Sequence, residues 1–267
     1  MATLGPVRPG IVDVIRKCCE DEQRNPPVPR KYGDLPVSFE AITAEWLTAT
    51  LGREYPGTSV EDFKLGPKDD GSYNRRHISI VWKGPAADKL PQAVFCKAAH
   101  SLENRIVLSH GGTYSEITFY KEIRPNLDIE APIAYFAGYD AVSWVSLTML
   151  KDLGKDAIFC THDTKLSKDQ FAQQVQILAR LHGRFYRSQE PAFKKLLVHS
   201  ERFTKLNATL DLETVCGNGF RGAKSVIPPR LFKREVEVWP CTLKSLERNE
   251  SLPQTIVHCD VHLGMSS

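Results

Sequence analysis

The sequence lacks the features that would place it outside the ordinary globular classes. It has no internal repeat and no low-complexity tract, and charge of neither sign dominates. Lys plus Arg number 35 against 32 for Asp plus Glu, a balance of +3 that does not suggest a dedicated nucleic-acid binder. No two of the seven cysteines form a CxxC knuckle, and their odd number and irregular spacing read as reduced thiols in an intracellular protein. Met1 to Glu20 contains no long apolar stretch and is interrupted by Arg8, Arg16 and Lys17, which excludes an ordinary secretory signal. The most apolar segment, Ala141 to Leu150, carries Ser143, Ser146 and Thr148 and is far shorter than the roughly 20 residues of a membrane span. The expectation is a cytoplasmic protein that spans no membrane.

What is present suits a folded chain. Apolar residues make up 42% and charged residues 25% of 267 positions, which argues against wholesale disorder. The length allows one large domain or two lobes, at roughly 100–200 residues per domain. Pro26, Pro27, Pro29 and Pro36 make residues 20 to 37 an irregular lead-in, within an irregular or helical extension over 1–37. Thr43 then caps a short helix that turns Trp46 and Leu47 inward and stops at Gly52. Strands are expected over Val60 to Leu65, Arg76 to Trp82 and Ala93 to Ala98, the second alternating Ile78, Ile80 and Trp82 with His77, Ser79 and Val81. A helix from Tyr114 to Ile123 closes at Pro125, and Thr113 with Glu116 fits a capping box. Ile133 to Gly138 and Val142 to Leu150 read as a strand pair.

Beyond Leu153 the pattern turns helical. Ser167 and Gln170 form another capping box, opening a helix whose Phe171, Val175, Leu178, His182 and Phe185 recur at helical spacing. Further helices are expected over 191 to 206 and 229 to 248, around a glycine-rich link at Gly217, Gly219 and Gly222. Strands first and helices later imply an α+β architecture, with a β-rich lobe over 38–150 and a helical lobe over 151–267. Basic residues between 221 and 248 interleave with Glu235, Glu237 and Glu247, as on a solvated helix face, so nucleic acid is not implied.

The densest polar cluster is His258-Cys-Asp-Val-His262, delivered by the apolar pair Ile256 and Val257. A plain turn at a strand end is one reading. A metal site is another, because His258, Asp260 and His262 would share a face of an extended chain; it needs a further ligand, and His100, His110 and His162 lie in unrelated stretches. A third reading comes from family resemblance. Val257-His-Cys-Asp-Val-His-Leu-Gly264 resembles the catalytic loop His-Gly-Asp-x-His-x-x-Asn of the protein-kinase-like small-molecule phosphotransferases, apart from Cys259 and Leu263. That superfamily includes aminoglycoside phosphotransferases, choline kinases and the ecdysteroid-kinase-like group. Upstream, Val94-Phe-Cys-Lys97, the helix with Glu116 followed by Phe119-Tyr120, the segment Ser146 to Gly154, and Leu178-Ala-Arg-Leu-His182 resemble family elements in the required order. The resemblance covers residues 40 to 264.

The resemblance implies a two-lobed kinase-like fold, ATP with Mg2+, and an alcohol of a small molecule as acceptor. Asp260 would take the acceptor proton, with His262 near the phosphate and His258 organising the loop. Lys97, sharing a strand face with Phe95 and Ala99, would hold the α- and β-phosphates; Glu116, or failing it Glu122, would fix its ammonium. Gly71-Ser72-Tyr73-Asn74 would drop over the phosphates through backbone N–H groups, unless it is a plain hairpin turn. Met149, Leu150 and Lys151, with Asp152, would present backbone groups to adenine, and His182 would be a core residue beneath the catalytic loop. Tyr73, Tyr114 and Tyr139 are candidates to line a pocket for a hydrophobic alcohol.

One position departs from the pattern. Met265 stands where the family places the metal-binding Asn, and a thioether is a poor ligand for magnesium. The later Asp and the rest of the helical lobe would fall beyond Ser267, so the expectation is a chain truncated after the catalytic loop, with Met265 to Ser267 arising from splicing, a frameshift or a gene-model error. Slow or absent turnover follows, leaving a non-catalytic nucleotide- or partner-binding protein as the alternative and a metal-dependent hydrolase on His258, Asp260 and His262 as the lesser one.

Overall fold

The computed structural model describes residues 10–154, 157, 159–161, 163–259 and 261. The chain is α+β and divides into two compact units, one containing residues 10–181 and 257–259, the other His182–Ile256. The division falls within a helix beyond the sequence-based boundary at 150/151.

The first unit is built on an antiparallel sheet. Its strands are β1 (Ser59–Leu65), β2 (Asp69–Asp70), β3 (Asn74–Lys83), β4 (Ala93–Ala99), β5 (Ala134–Tyr139) and β6 (Ser146–Lys151). They run in the order β1-β3-β4-β6-β5, with β2 paired to β3. Strand β3 follows the period-2 rule, burying Arg76, Ile78, Ile80 and Trp82 while His77, Ser79, Val81 and Lys83 stay exposed. Helix α2 (Ala44–Leu51) covers the buried face, and its fully enclosed Trp46 and Leu47 pack with Ile78, Val94, Cys96, Leu147 and Met149. Thr43 caps α2 by accepting a hydrogen bond from Trp46 N at 3.0 Å, and Trp46 Nε1 donates to the Asp34 carbonyl at 3.0 Å. Gly84 turns the chain out of β3 at φ 117°, where any Cβ would lie 2.4 Å from the Gly57 carbonyl oxygen.

Two helices in this unit depart from expectation. Helix α1 (Ile11–Arg24) extends into the stretch read as irregular from residue 20. Helix α3 (Leu102–Leu108) forms where no element was expected. They join through Arg105, whose side chain is 1% exposed and whose guanidinium forks onto both carboxylate oxygens of Glu22 at 3.0 and 2.7 Å. An apolar-periodicity reading cannot register an interface centred on an ion pair. Helix α4 (Gly112–Thr118) follows and opens into a π-helical turn, Phe119–Ile123. The expected strand beginning at Val142 starts instead at Ser146, because Asp140 Oδ1 accepts from Val142 N, Ser143 N and Ser143 Oγ and folds 140–145 into a turn.

Helix α5 (Lys168–Phe185) opens on a complete capping box: Gln170 N donates to Ser167 Oγ at 3.2 Å and Ser167 N to Gln170 Oε1 at 2.9 Å. Its apolar stripe is buried only near the C-terminus, at Leu181 and Phe185, whereas Phe171 and Val175 are exposed. In the second unit the helices are α6 (Pro191–Lys194), α7 (His199–Leu210), α8 (Leu212–Gly222), α9 (Pro229–Phe232) and α10 (Glu235–Glu250). The expected glycine-rich link is therefore helical. Asp211 ends α7 in the left-handed conformation, and its carboxylate caps α8 by accepting from Thr214 N, which starts a new helix through Gly217 and Gly219. Phe203 meets Trp239 at 5.8 Å and Phe220 stacks on Phe232 at 5.4 Å between ring centroids. Ile256 and Val257, expected as a short apolar strand leading to His258, join no sheet. No helix among the described residues is long and apolar enough to cross a membrane.

Removing Glu22 would strand a buried guanidinium. Glu22→Ala is expected to cost about 3 kcal/mol in urea unfolding, and Glu22→Leu with Arg105→Met to recover most of that loss. A second expectation concerns His100, whose Nε2 is buried without a partner and whose pKa is lowered to about 3, chiefly by burial and then by Arg105. Between about 6.5 and 3 the unfolded chain binds a proton that the folded ring refuses, so the stability present above that window is lost as pH falls through it. His100→Gln is expected to flatten this dependence by roughly 1 kcal/mol per pH unit in denaturant titrations at stepped pH.

Candidate functional site

Lys97 lies on β4, the middle strand of the sheet, opposite Arg75 of β3 and Thr148 of β6. The strand period puts it on the face of Phe95 and Ala99, away from the α2 core that receives Cys96 and Ala98. Its side chain is 28% exposed, and the ammonium donates to Oε1 of Glu116 at 2.6 Å, a side chain 15% exposed. Glu116 and not Glu122 is thus the partner of Lys97. The capping box expected for Glu116 does not form: α4 is capped at Gly111, Thr113 lies inside the helix, and its buried hydroxyl has no partner. Freed from that local use, Glu116 turns to the sheet. The Tyr120 phenol is held above its ordinary value by burial and then by the Glu116 charge.

A second contact was not anticipated. The Lys97 ammonium sits 4.4 Å from the centroid of the Tyr73 ring, within cation–π range. Gly71, Ser72 and Tyr73 form the loop of the β2–β3 hairpin, closed by Gly71 N donating to the Tyr73 carbonyl at 2.9 Å. Asn74 starts β3, and its Oδ1 accepts from His100 N at 2.9 Å and Ser101 N at 3.2 Å. Asn104 of α3 donates to the Gly71 carbonyl at 2.8 Å. Sequence offered no cue for these ties, because amide side chains bonding to distant backbone leave no periodic trace.

Met149 and Leu150 are paired on both sides, to β4 and β5, so the ladder engages their backbone groups. Lys151 N donates to the Ile133 carbonyl at 2.9 Å, and the chain leaves the sheet at Asp152. On the sheet face away from α2, His77 meets Phe95 at 5.0 Å between centroids, and its Nδ1 lies 3.4 Å from Asp152 Oδ2. Tyr114 and Tyr139 approach each other edge to face, and Tyr139 stacks on Trp144, while Tyr73 lies against Lys97. His182 is half-buried on α5. His258 is exposed; Asp260 and His262 lie outside the described residues, as do His162 and Met265.

No group of three or more His, Cys, Asp or Glu side chains gathers as a metal site among the described residues. Of the other histidines, His100 is the buried ring beside Phe39 and His110 Nδ1 pairs with the Ile106 carbonyl at 2.9 Å. No family model, curated protein or solved structure matches this chain. The local chemistry is that of a half-buried cation, clamped by one carboxylate and roofed by one aromatic ring.

A double-mutant cycle on Lys97→Met and Glu116→Gln, read by chemical unfolding, is expected to give a coupling of about 1–2 kcal/mol, above an exposed pair and below a fully buried one.

Proposed function

We propose that this chain descends from an ATP-dependent phosphotransferase with a two-lobed, protein-kinase-like fold, moving the γ-phosphate of ATP to a hydroxyl of a small molecule. The observation that carries this reading is the Lys97–Glu116 contact, which joins the middle strand of an antiparallel sheet to the helical segment that follows it. The sequence resemblance asks for that pair in that order. Support also comes from the same sheet face, where Phe95, two residues before Lys97 on β4, packs against the tilted His77 ring and adds aromatic surface next to Lys97 in register.

Phosphoryl transfer asks the protein mainly for positioning and charge neutralisation. ATP supplies the γ-phosphoryl group when bound. Lys97 meets its α- and β-phosphates as a compact cation, and three N–H donors leave it capacity beyond Glu116. Glu116 holds the ammonium in place. The Tyr73 ring lies against that ammonium, and of the segment Met149 to Asp152 that the resemblance assigns to the adenine edge, Lys151 and Asp152 lie past the doubly paired Met149 and Leu150. In the resembled loop, Asp260 accepts the acceptor proton and His262 lies near the transferred phosphate. The described residues offer no ligand set for magnesium, so no step is assigned to it. A nucleotide-binding protein without turnover is the second reading, favoured by Met265 at the position of the family's Asn.

Calorimetric titration with ADP and ATP tests the proposal. Binding weakened about 10- to 100-fold by Lys97→Met, with Asp260→Asn binding normally but forming no phosphorylated alcohol, is the expected outcome. Binding without any turnover by the unaltered chain selects the second reading. Absence of nucleotide binding by the unaltered chain removes both.

A further inference from the structure

Lys97 has a second cation beside it. In the β3–β4 register Arg75 stands directly opposite Lys97, so both side chains leave the same face of the sheet. Like charges placed directly opposite destabilise a ladder, and here each is offset by a carboxylate of its own. Arg75 Nη2 donates to Asp69 Oδ1 at 2.9 Å across the β2–β3 pair, and Lys97 donates to Glu116 Oε1 at 2.6 Å from α4. We propose that Arg75 and Lys97 together form a two-cation seat for a diphosphate group, with Arg75 a phosphate-binding residue that lies outside the resembled motifs. The inference deepens the phosphotransferase reading and rests on it only for the nucleotide that carries the diphosphate.

The guanidinium has capacity for an anion without leaving Asp69. Arginine carries five N–H donors in a fixed fork. Nε donates to the Asp69 carbonyl at 3.4 Å and Nη2 to the Asp69 carboxylate, which uses one edge of that fork. Nη1 has no hydrogen-bond partner among the described residues, so the Nη1–Nη2 end is open to a second oxyanion. The side chains of Arg75 and Lys97 are 29% and 28% exposed, so solvent reaches both. Loop 71–73 passes both heads: a Cβ at Gly71 would lie 3.5 Å from Arg75 Nη2, and the Tyr73 ring centroid lies 4.4 Å from Lys97 Nζ. Asp69 is half-exposed, so its carboxylate can turn to water at the small cost of an exposed ion pair if the anion takes more of the fork. Two cations on adjacent strands favour a ligand with two linked phosphates over one with a single phosphate, which a lone ammonium would not do.

Calorimetric titration of the full chain with orthophosphate, inorganic pyrophosphate and ADP tests the seat. Pyrophosphate is expected to bind about tenfold more tightly than orthophosphate; equal binding of the two overturns the seat. Arg75→Met is expected to weaken pyrophosphate and ADP about tenfold, and an affinity within about twofold of the unaltered chain overturns the proposal. Asp69→Asn separates contact from support, because it loosens Arg75 and the hairpin but keeps the guanidinium. Its pyrophosphate affinity is expected to be unchanged or up to about threefold tighter, whereas a loss equal to that of Arg75→Met means that Arg75 only holds the hairpin and overturns the seat. Far-ultraviolet dichroism identifies folded variants, and one measurement needs no variant. Saturating pyrophosphate is expected to slow phenylglyoxal modification of Arg75, read by peptide mass spectrometry, about fivefold or more; no protection overturns the seat. Pyrophosphate binding that depends on Arg75, with ADP gaining nothing over pyrophosphate, keeps the seat and removes the nucleotide reading. ADP binding that is indifferent to Arg75 does the reverse, and binding of neither removes both.

Discussion

Taking an ammonium partly out of water is costly unless a carboxylate or an electron-rich ring replaces the lost hydration, and much of the organisation of the first unit follows from meeting that cost at Lys97. The middle strand of a sheet has no free edge along which a long side chain can spread to solvent. Lys97 therefore projects from a surface that Phe95, Thr148 and Leu150 make largely dry. Glu116 satisfies it from α4, and Tyr73 satisfies it from the β2–β3 loop. Each partner needs its own support. α4 enters through Gly111 in the left-handed conformation after α3, and α3 is pinned to α1 by the buried Arg105–Glu22 fork. The loop is pinned to the same α3 through Asn104 and Asn74.

Helix α3 is thus the keystone, though it is only two turns long. One side carries Asn104 toward the loop, the other carries Arg105 toward α1, and its C-terminal neighbours lead into the helix of Glu116. A segment this short has little helical stability of its own. Ser101 caps it, and the polar contacts of Asn104 and Arg105 hold it from outside. The π-helical turn after Thr118 shifts the following residues around the axis, so that Ile123 reaches the interior just beyond the segment that carries Glu116.

The two units differ in what stabilises them. The sheet unit buries a contiguous set from Trp46 to Met149, and its polar ties are mostly to backbone groups. In the helical unit few side chains are deeply buried, Phe185 and Ile256 among them, while Val215, Val226, Val236 and Leu243 face solvent. Stacked aromatic pairs and surface ion pairs such as Arg234–Glu237 do proportionally more there. Ion pairs of that exposed kind contribute little each.

Period-2 alternation in β3, the apolar run of β6, the Thr43 cap and the Ser167 capping box were written locally, each set by neighbours within a few residues, and so were legible from the sequence. The same holds for a lysine flanked by apolar residues on one strand and a glutamate on a later helix. What the sequence left open was every choice among competing partners. Glu116 had Thr113 three residues away and Lys97 nineteen away, and the competition was decided by where α4 begins. Asp211 could have ended a helix in a loop but instead capped the next one, carrying three glycines with it. Tyr73 was legible as a loop residue and not as the ring over Lys97. Local hydrogen bonds and side-chain periodicity depend on the order of residues alone, whereas an ion pair or a cation–π contact across many residues depends on which surfaces meet, and that is settled only when the whole sheet unit closes around its core.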